Sequence, residues 1–368
     1  MKILHCVHLF PPAQGGIEHH TMHLTKWLAA LGEEVTVVTS GLKDTKLHEI
    51  KDKVNIHRYF SIKFPLFSAA RFIPFLCWRL YRENADIYCS HGYGSPMPFF
   101  TAIAAWLRKK PFVFTLHGYP KQKGVGKIFQ MLYRYLAASV FLRIASKVIV
   151  VSRTSIQDIE KEVDLSKIVY VPNGIESEEF QCGDFTKNKK IVYAGRLDRD
   201  KRIDMLIRAF SSIKKKFPDV ELVITGPDEG VKKELEGLAR KLGVNVRFTN
   251  VPYEKIHEIY CNSAAVVLPS RYEGFSLVWL EAMASGRAMF STPVGEAPKL
   301  FEQVYGDKKE LFLFNEEKEL EAKLLAFFSN ADGYKKIVQE AENIVKAEYS
   351  WENVASITRR VYEEALKN

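Results

Sequence analysis

The chain has 368 residues, 47% of them apolar and 26% charged, and a formal net charge of +9. This length suits two domains of ordinary size, and the balance excludes a disordered or collagen-like chain. No stretch approaches the roughly 20 apolar residues a membrane span needs, and the short apolar run after Met1-Lys2, ended by Pro11-Pro12, does not read as a secretory leader.

The five cysteines (6, 77, 89, 182 and 261) are odd in number and form no CxxC pair. This argues against a disulfide framework or a zinc site, and for a reducing compartment. The expected location is the cytoplasm. The charge is unevenly placed: residues 1–175 carry 23 Lys/Arg against 12 Asp/Glu, or +11, and residues 176–368 carry 30 against 32, or −2. A basic half suits an anionic partner such as nucleic acid, an acidic membrane surface or a phosphorylated substrate, although a solvated basic face would look the same.

The first half alternates β-branched runs with helical patterns. Strands are expected at "KILHCVHLF" (2–10), "EVTVVTS" (34–40), "DIYCS" (86–90), "FVFTLHG" (112–118), "KVIVVS" (147–152) and "KIVYVPNG" (167–174), with a helix over 17–31. The pattern then restarts with strands at 190–196, 220–226, 246–249, 264–270 and 288–292. Helices are expected at 202–216, 231–242 and 254–261, then in the stretch 270–286, and again from 317. Apolar strands separated by helices imply parallel sheets covered on both faces, hence two doubly wound α/β domains. A hinge is expected near 172–188, where Pro172, Asn173, Gly174 and Gly183 interrupt the pattern.

Ligands of open parallel sheets gather beyond the carboxyl ends of the strands, and each candidate motif lies at such an end. In "FPPAQGGIEHH", Gly15-Gly16 opens a helix and reads either as a phosphate-approach loop or as a tight turn. The dinucleotide fingerprint GxGxxG is absent. "GRLDRDKR" (195–202) sets Arg196 and Lys201 at a strand end, either to neutralise a diphosphate or as part of an ion-paired surface loop. His117 in "TLHG" is either a ligand contact or a structural histidine, and "GPDEG" (226–230) is at least a turn. "SRYEGFSLVWLEAMASG" (270–286) carries Glu273 and Glu281 in an apolar context, where a carboxylate is costly unless something pairs with it.

In this order the motifs resemble glycosyltransferase family 4, the retaining nucleotide-sugar transferases of the GT-B fold. The resemblance runs from "FPPAQGGIEHH" through "TLHG", "VPNGI", "GRLDRDKRIDMLIRAF", "VITGPDEG" and the Glu273-x7-Glu281 segment to "YSWENVASITRRVYEEAL". It implies two Rossmann-like domains facing a cleft: residues 1–175 binding the acceptor, 176–350 binding the nucleotide sugar, and a helix at 351–368 packing back on the first domain. It implies catalytic roles for His117, Arg196, Lys201 and Glu273. Donor binding would involve Gly15, Gly16, Arg196, Lys201, Gly226, Glu273, Gly274, Phe275, Ser276, Leu277 and Glu281. Glu273 would bond hydroxyls of the sugar, Glu281 those of the ribose, and Arg196 with Lys201 the diphosphate, while His117 would sit beside the transferring sugar.

No acidic DxD-type pair stands out as a metal site, so no metal and no cofactor is expected beyond a UDP- or GDP-linked sugar as co-substrate. Three positions depart from the family's pattern. Arg202 and Glu296 stand where glycine is common, and Ala288 where proline is. Glu296 is expected to face the acceptor side or solvent, since it would repel a diphosphate. Residues 58–82 and 121–147 mix aromatics with arginine and lysine, as basic amphipathic helices at a membrane interface do, although core-packing helices read similarly. With the basic half, they point to a lipid-linked or glycolipid acceptor and a peripheral position on the cytoplasmic face of an anionic membrane. Transfer of a mannose-, glucose- or GlcNAc-type hexosyl group is the expected activity. The competing readings are a GT-B sugar-nucleotide epimerase and a non-catalytic, membrane-associated partner of an active transferase. Nucleic acid is not an expected partner, because no recognition motif accompanies the charge.

Overall fold

Runs such as Val35–Val38 and Val148–Val151 are apolar on both alternating faces, a pattern that forms strands only where helices cover both sides of a sheet. The computed structural model, which describes residues 1–13, 15–63, 71–118 and 133–367, has that architecture. The chain divides into two units, Met1–Asn173 with Trp351–Asn368, and Gly174–Ser350. It therefore passes between them twice.

The first unit contains β1 (Lys2–Cys6), β2 (Glu34–Ser40), β3 (His48–Lys51), β4 (Val54–Tyr59), β5 (Ile62–Lys63), β6 (Arg71–Phe72), β7 (Ile87–His91), β8 (Phe112–Leu116), β9 (Lys147–Val150) and β10 (Ile168–Tyr170). Eight of these form one sheet in the order β10-β9-β8-β7-β1-β2-β4-β3, while β5 and β6 pair separately. All neighbours in the large sheet are parallel except β3 and β4. Successive side chains of β1 serve opposite faces: Leu4 and Cys6 enter one apolar core, Ile3 and the following Val7 the other. The helix Trp351–Lys367 shares the second core with the helix Gly16–Ala30, through Trp351, Val354 and Tyr362 against Leu24 and Leu28. Arg359 Nε fixes it further by donating to the buried carboxylate of Glu33 at 2.6 Å.

In the second unit β11 (Lys190–Ala194), β12 (Glu221–Thr225), β13 (Val246–Thr249), β14 (Ala265–Leu268) and β15 (Ala288–Ser291) form a parallel sheet in the order β13-β12-β11-β14-β15. The helix Ile203–Lys216 buries Ile203, Leu206, Ile207, Phe210 and Ile213, the apolar stripe its spacing predicts.

Several expectations need correction. The first strand stops at Cys6 instead of continuing to residue 10, and Pro11-Pro12 forms a cis peptide bond soon after. Residues 58–82 are not one basic helix. Arg58 and Tyr59 end β4, and the buried Arg58 guanidinium donates to the carbonyls of Pro11 (2.8 Å) and Lys46 (3.2 Å) and pairs with Glu49. Residues 64–70 lie outside the described residues; among the described ones only Leu76–Arg82 is helical, starting just after Pro74, which cannot supply the amide a longer helix needs. Within 121–147, residues 121–132 lie outside the described residues, and helix covers Arg134–Ala138 and Ser139–Ile144.

The cysteine expectation also fails, because Cys182 and Cys261 form a disulfide with Cα atoms 5.0 Å apart. An odd count and wide spacing conceal a pair that only tertiary folding brings together. The bridge spans 79 residues of chain, so it removes much of the freedom of the unfolded second unit. Cys182→Ser, or reduction of the bridge, is expected to lower the unfolding free energy by about 2–4 kcal/mol in denaturant titrations. Identical midpoints for the oxidised and reduced protein would refute a stabilising role.

Candidate active site

In the second sheet β11 lies between β12 and β14, so the chain leaves it toward one side and later returns on the other. At such a switch point the loops after the two strands diverge and leave room for a ligand. The loop after β11 carries Arg196 and Lys201, and the loop after β14 carries Ser270 and Glu273.

Three contacts shape the first loop. Gly195 and Gly226, both at positive φ, bring two loops so close that a Cβ on Gly226 would sit 1.9 Å from the Gly195 carbonyl oxygen. The buried Tyr193 donates its hydroxyl to the Arg196 carbonyl at 2.7 Å. Asp198 caps the short turn Arg199–Lys201 by accepting from the amides of Asp200 (2.9 Å) and Lys201 (3.2 Å). Arg202 then adopts the left-handed conformation (φ 50°, ψ 38°), which accounts for a glycine being usual there.

This path delivers Lys201 Nζ to 2.6 Å from Glu273 Oε1, which also accepts from Ser270 Oγ at 2.7 Å. The lysine and glutamate side chains are only 14% and 12% exposed. Arg196 is more open and lies 3.6 Å from Asp198. The Glu273-Gly274 backbone is backed by Gly295, where a Cβ would come within 2.3 Å of both carbonyl oxygens. The amide of Glu296 donates to the Gly274 carbonyl at 2.9 Å. Glu296 itself is 1% exposed, so it does not face solvent as one of its two expected settings required.

The helix Leu277–Ala284 begins after Ser276, with extended backbone at that cap, which leaves the first helical amides directed out of the helix end. Phe275 is buried and packs near Trp279 and Tyr349, so any contact it makes with a ligand is through its backbone. Glu281, one turn in, is buried, and its two oxygens accept from Tyr253 (3.1 Å) and Tyr260 (2.8 Å). Burial pushes its carboxyl up to about 7 despite these two donors, which favour the ionised form. The same burial, with the Glu281 charge nearby, raises both phenols well above their usual value.

The first unit gathers the other expected residues. Gly15 caps the helix Gly16–Ala30 in an extended conformation, and the Glu18 carboxylate lies over it where a Cβ would go. His117 follows β8, and its Nε2 lies 3.2 Å from His91 Nδ1 at the end of β7. His91 Nε2 lies 2.9 Å from His5 Nδ1 on β1, and His20 stacks edge-on to His117 at 4.4 Å. Burial holds all four rings below the ordinary imidazole range, with mutual repulsion adding to it in His5, His91 and His117.

Sequence reasoning identified Lys201 and Glu273 but not their direct pairing. It missed Ser270 as the companion of Glu273, Tyr253 and Tyr260 as those of Glu281, and His5, His20 and His91 around His117. One signal was available: "SHG" (90–92) and "LHG" (116–118) end adjacent strands alike.

The family model described as Glycosyl transferases group 1 matches residues 174–363, and that of Glycosyltransferase Family 4 matches residues 14–179. The chain is 27% identical to the phosphatidylinositol N-acetylglucosaminyltransferase gpi3 subunit of Schizosaccharomyces pombe, over 96% of this chain and 78% of that protein. It is 26% identical to an uncharacterised glycosyltransferase of Methanocaldococcus jannaschii, over 100% of this chain and 99% of that one. Among solved structures, Anabaena Alr3699/HepE in complex with UDP and glucose aligns with a TM-score of 0.79 and 19% identity, covering 99% of each chain.

The raised Glu281 carboxyl makes stability fall as pH rises. Both states are protonated below about pH 4.5; toward pH 7 the unfolded chain ionises first, and the contribution is lost. Between pH 5 and 7.5, Glu281→Gln is expected to gain about 2 kcal/mol relative to the parent in urea unfolding. Parallel pH profiles would show that Glu281 titrates normally.

Proposed function

The chain belongs to the Glycosyl transferases group 1 family, and from that premise we propose that it moves a hexosyl group from a nucleotide-diphosphate sugar to a hydroxyl of a lipid-linked acceptor, with retention at the anomeric carbon. The observation that carries this proposal is the Lys201–Glu273 contact at the switch point of the second sheet, because it joins a phosphate-type cation to a sugar-type carboxylate. The two satisfy one another directly, the ammonium donating and the carboxylate accepting. With donor bound, the diphosphate draws Lys201 and Arg196, and Glu273 accepts from sugar hydroxyls, two of which a carboxylate can hold at once. Glu281 keeps its tyrosines and uses remaining lone pairs for the ribose hydroxyls. Gly226 and the backbone from Gly274 to Leu277 supply close approach and amides for phosphate and sugar.

In the chemical step the bond from the anomeric carbon to the diphosphate oxygen breaks as the bond to the acceptor oxygen forms on the same face. The departing phosphate oxygen takes the acceptor's proton. Lys201 and Arg196 stabilise the charge that develops there, without a metal.

The lipid part of the proposal is supported by the surface of the first unit. Phe75, Trp78, Tyr81, Trp106 and Leu107 are 41–77% exposed on and beside the helices Leu76–Arg82 and Met97–Leu107, which pack together. Arg82 lies over Trp78 and Arg108 over Tyr81, with Arg79 over Tyr59 alongside. Exposed aromatics interleaved with arginines suit the interface of an anionic bilayer. The S. pombe relative's name points to phosphatidylinositol and N-acetylglucosamine, which makes an inositol lipid and a GlcNAc donor the first pair to test. Among the described residues no helix is long and apolar enough to cross a membrane.

A calorimetric screen of UDP- and GDP-sugars is expected to find one tight donor. Lys201→Ala and Arg196→Ala should lower turnover by about 10²–10³-fold, and donor affinity by less. Failure of every nucleotide sugar to bind, or unchanged turnover in both variants, would overturn the proposal, and donor hydrolysis or inversion without acceptor would favour an epimerase. Trp78→Ser with Trp106→Ser is expected to abolish co-sedimentation with anionic vesicles. Undiminished sedimentation would remove this face as the membrane contact.

A further inference from the structure

Three histidines from distant parts of the first unit converge: His20 on the helix Gly16–Ala30, His91 at the end of β7, and His117 after β8. One ring nitrogen from each lies within 4.8 Å of the other two. The closest pair, His91 Nδ1 and His117 Nε2, is 3.2 Å apart. Ligand atoms around a tetrahedral zinc-type ion at its usual bond length stand roughly 3.3 Å from one another, so that edge is already in place.

Two of the three remaining ring nitrogens are also anchored. His20 Nδ1 lies 2.8 Å from Asn173 Oδ1, an oxygen that can only accept, so the proton sits on Nδ1 and Nε2 keeps its lone pair. His91 Nε2 lies 2.9 Å from His5 Nδ1; donation in that direction leaves the His91 Nδ1 lone pair free. Partners on the non-ligating nitrogen fix tautomer and ring orientation in known metal sites. His20 and His91 are 3% and 1% exposed, while His117 is partly open, which leaves one side of the cluster accessible.

We propose that His20, His91 and His117 form a binding site for a divalent transition-metal ion of the zinc class, with a fourth, open coordination position. Imidazole-only ligation suits zinc, cobalt, nickel or copper, and not magnesium or calcium. None of the three ligands is charged, so a bound ion keeps its double charge and favours an oxyanion in the fourth position. A bound ion would also occupy a nitrogen of His117, the residue to which the family resemblance assigns the transferring sugar.

The test is titration of the metal-stripped full-length chain with Co²⁺, followed by the visible bands of a tetrahedral site and by displacement with Zn²⁺. One equivalent is expected. His91→Gln and His117→Gln should each abolish it, with folding checked by circular dichroism, and Asn173→Ala should weaken it about 10–100-fold. His48→Gln, in the separate His48–His57 pair, should leave it intact. Failure to bind one equivalent, or binding that survives either His91→Gln or His117→Gln, would overturn the site and leave His91 and His117 as links of a hydrogen-bonded chain that starts at His5. This readout needs no turnover, so it fails or succeeds independently of the transferase proposal.

Discussion

A lysine and a glutamate held 2.6 Å apart, each with little of its side chain in water, constrain the whole second unit. Separating such a pair inside a protein costs about 3–5 kcal/mol, because each charge is left without its counterpart. The loops after β11 and β14 must therefore arrive together. Much of the local backbone serves that end: Gly195 against Gly226, the Asp198 cap, the left-handed Arg202, and Gly295 behind Glu273. The parallel sheet supplies the coarse placement, and these close approaches supply the last ångströms.

The two units handle ionisable groups in opposite ways. In the second, Glu273 is ion-paired, and burial raises Glu281 between two phenols. The first collects imidazoles whose protonation burial suppresses. One site is built around fixed charge, the other around lone pairs without charge. Phosphate chemistry matches the former, and uncharged donors to a sugar hydroxyl or a soft cation match the latter.

Much of this was legible in the sequence, for a definable reason. Strand alternation and strand-end motifs are local, so the two α/β units and the loops bearing Arg196, Lys201 and Glu273 could be read residue by residue. The partners of Glu281 could not, since Tyr253 and Tyr260 reach it across 28 and 21 positions of sequence. The Cys182–Cys261 bridge and the histidine cluster are hidden in the same way. The basic aromatic run 58–82 misled for a different reason. Composition recorded its charge, but not that Arg58 is buried at a strand end while Arg82 is exposed on a helix.

The helix Trp351–Lys367 belongs to the first unit although it follows the whole of the second in the chain. A ribosome therefore releases most of the first unit long before the piece that covers one face of its sheet. Until then Leu24, Leu28 and their neighbours lack the cover that Trp351, Val354 and Tyr362 later provide. The second unit, continuous in sequence, can finish folding earlier than the unit that precedes it. Order of synthesis and order of completion are thus reversed, and one apolar face of the nascent first unit stays uncovered the longest.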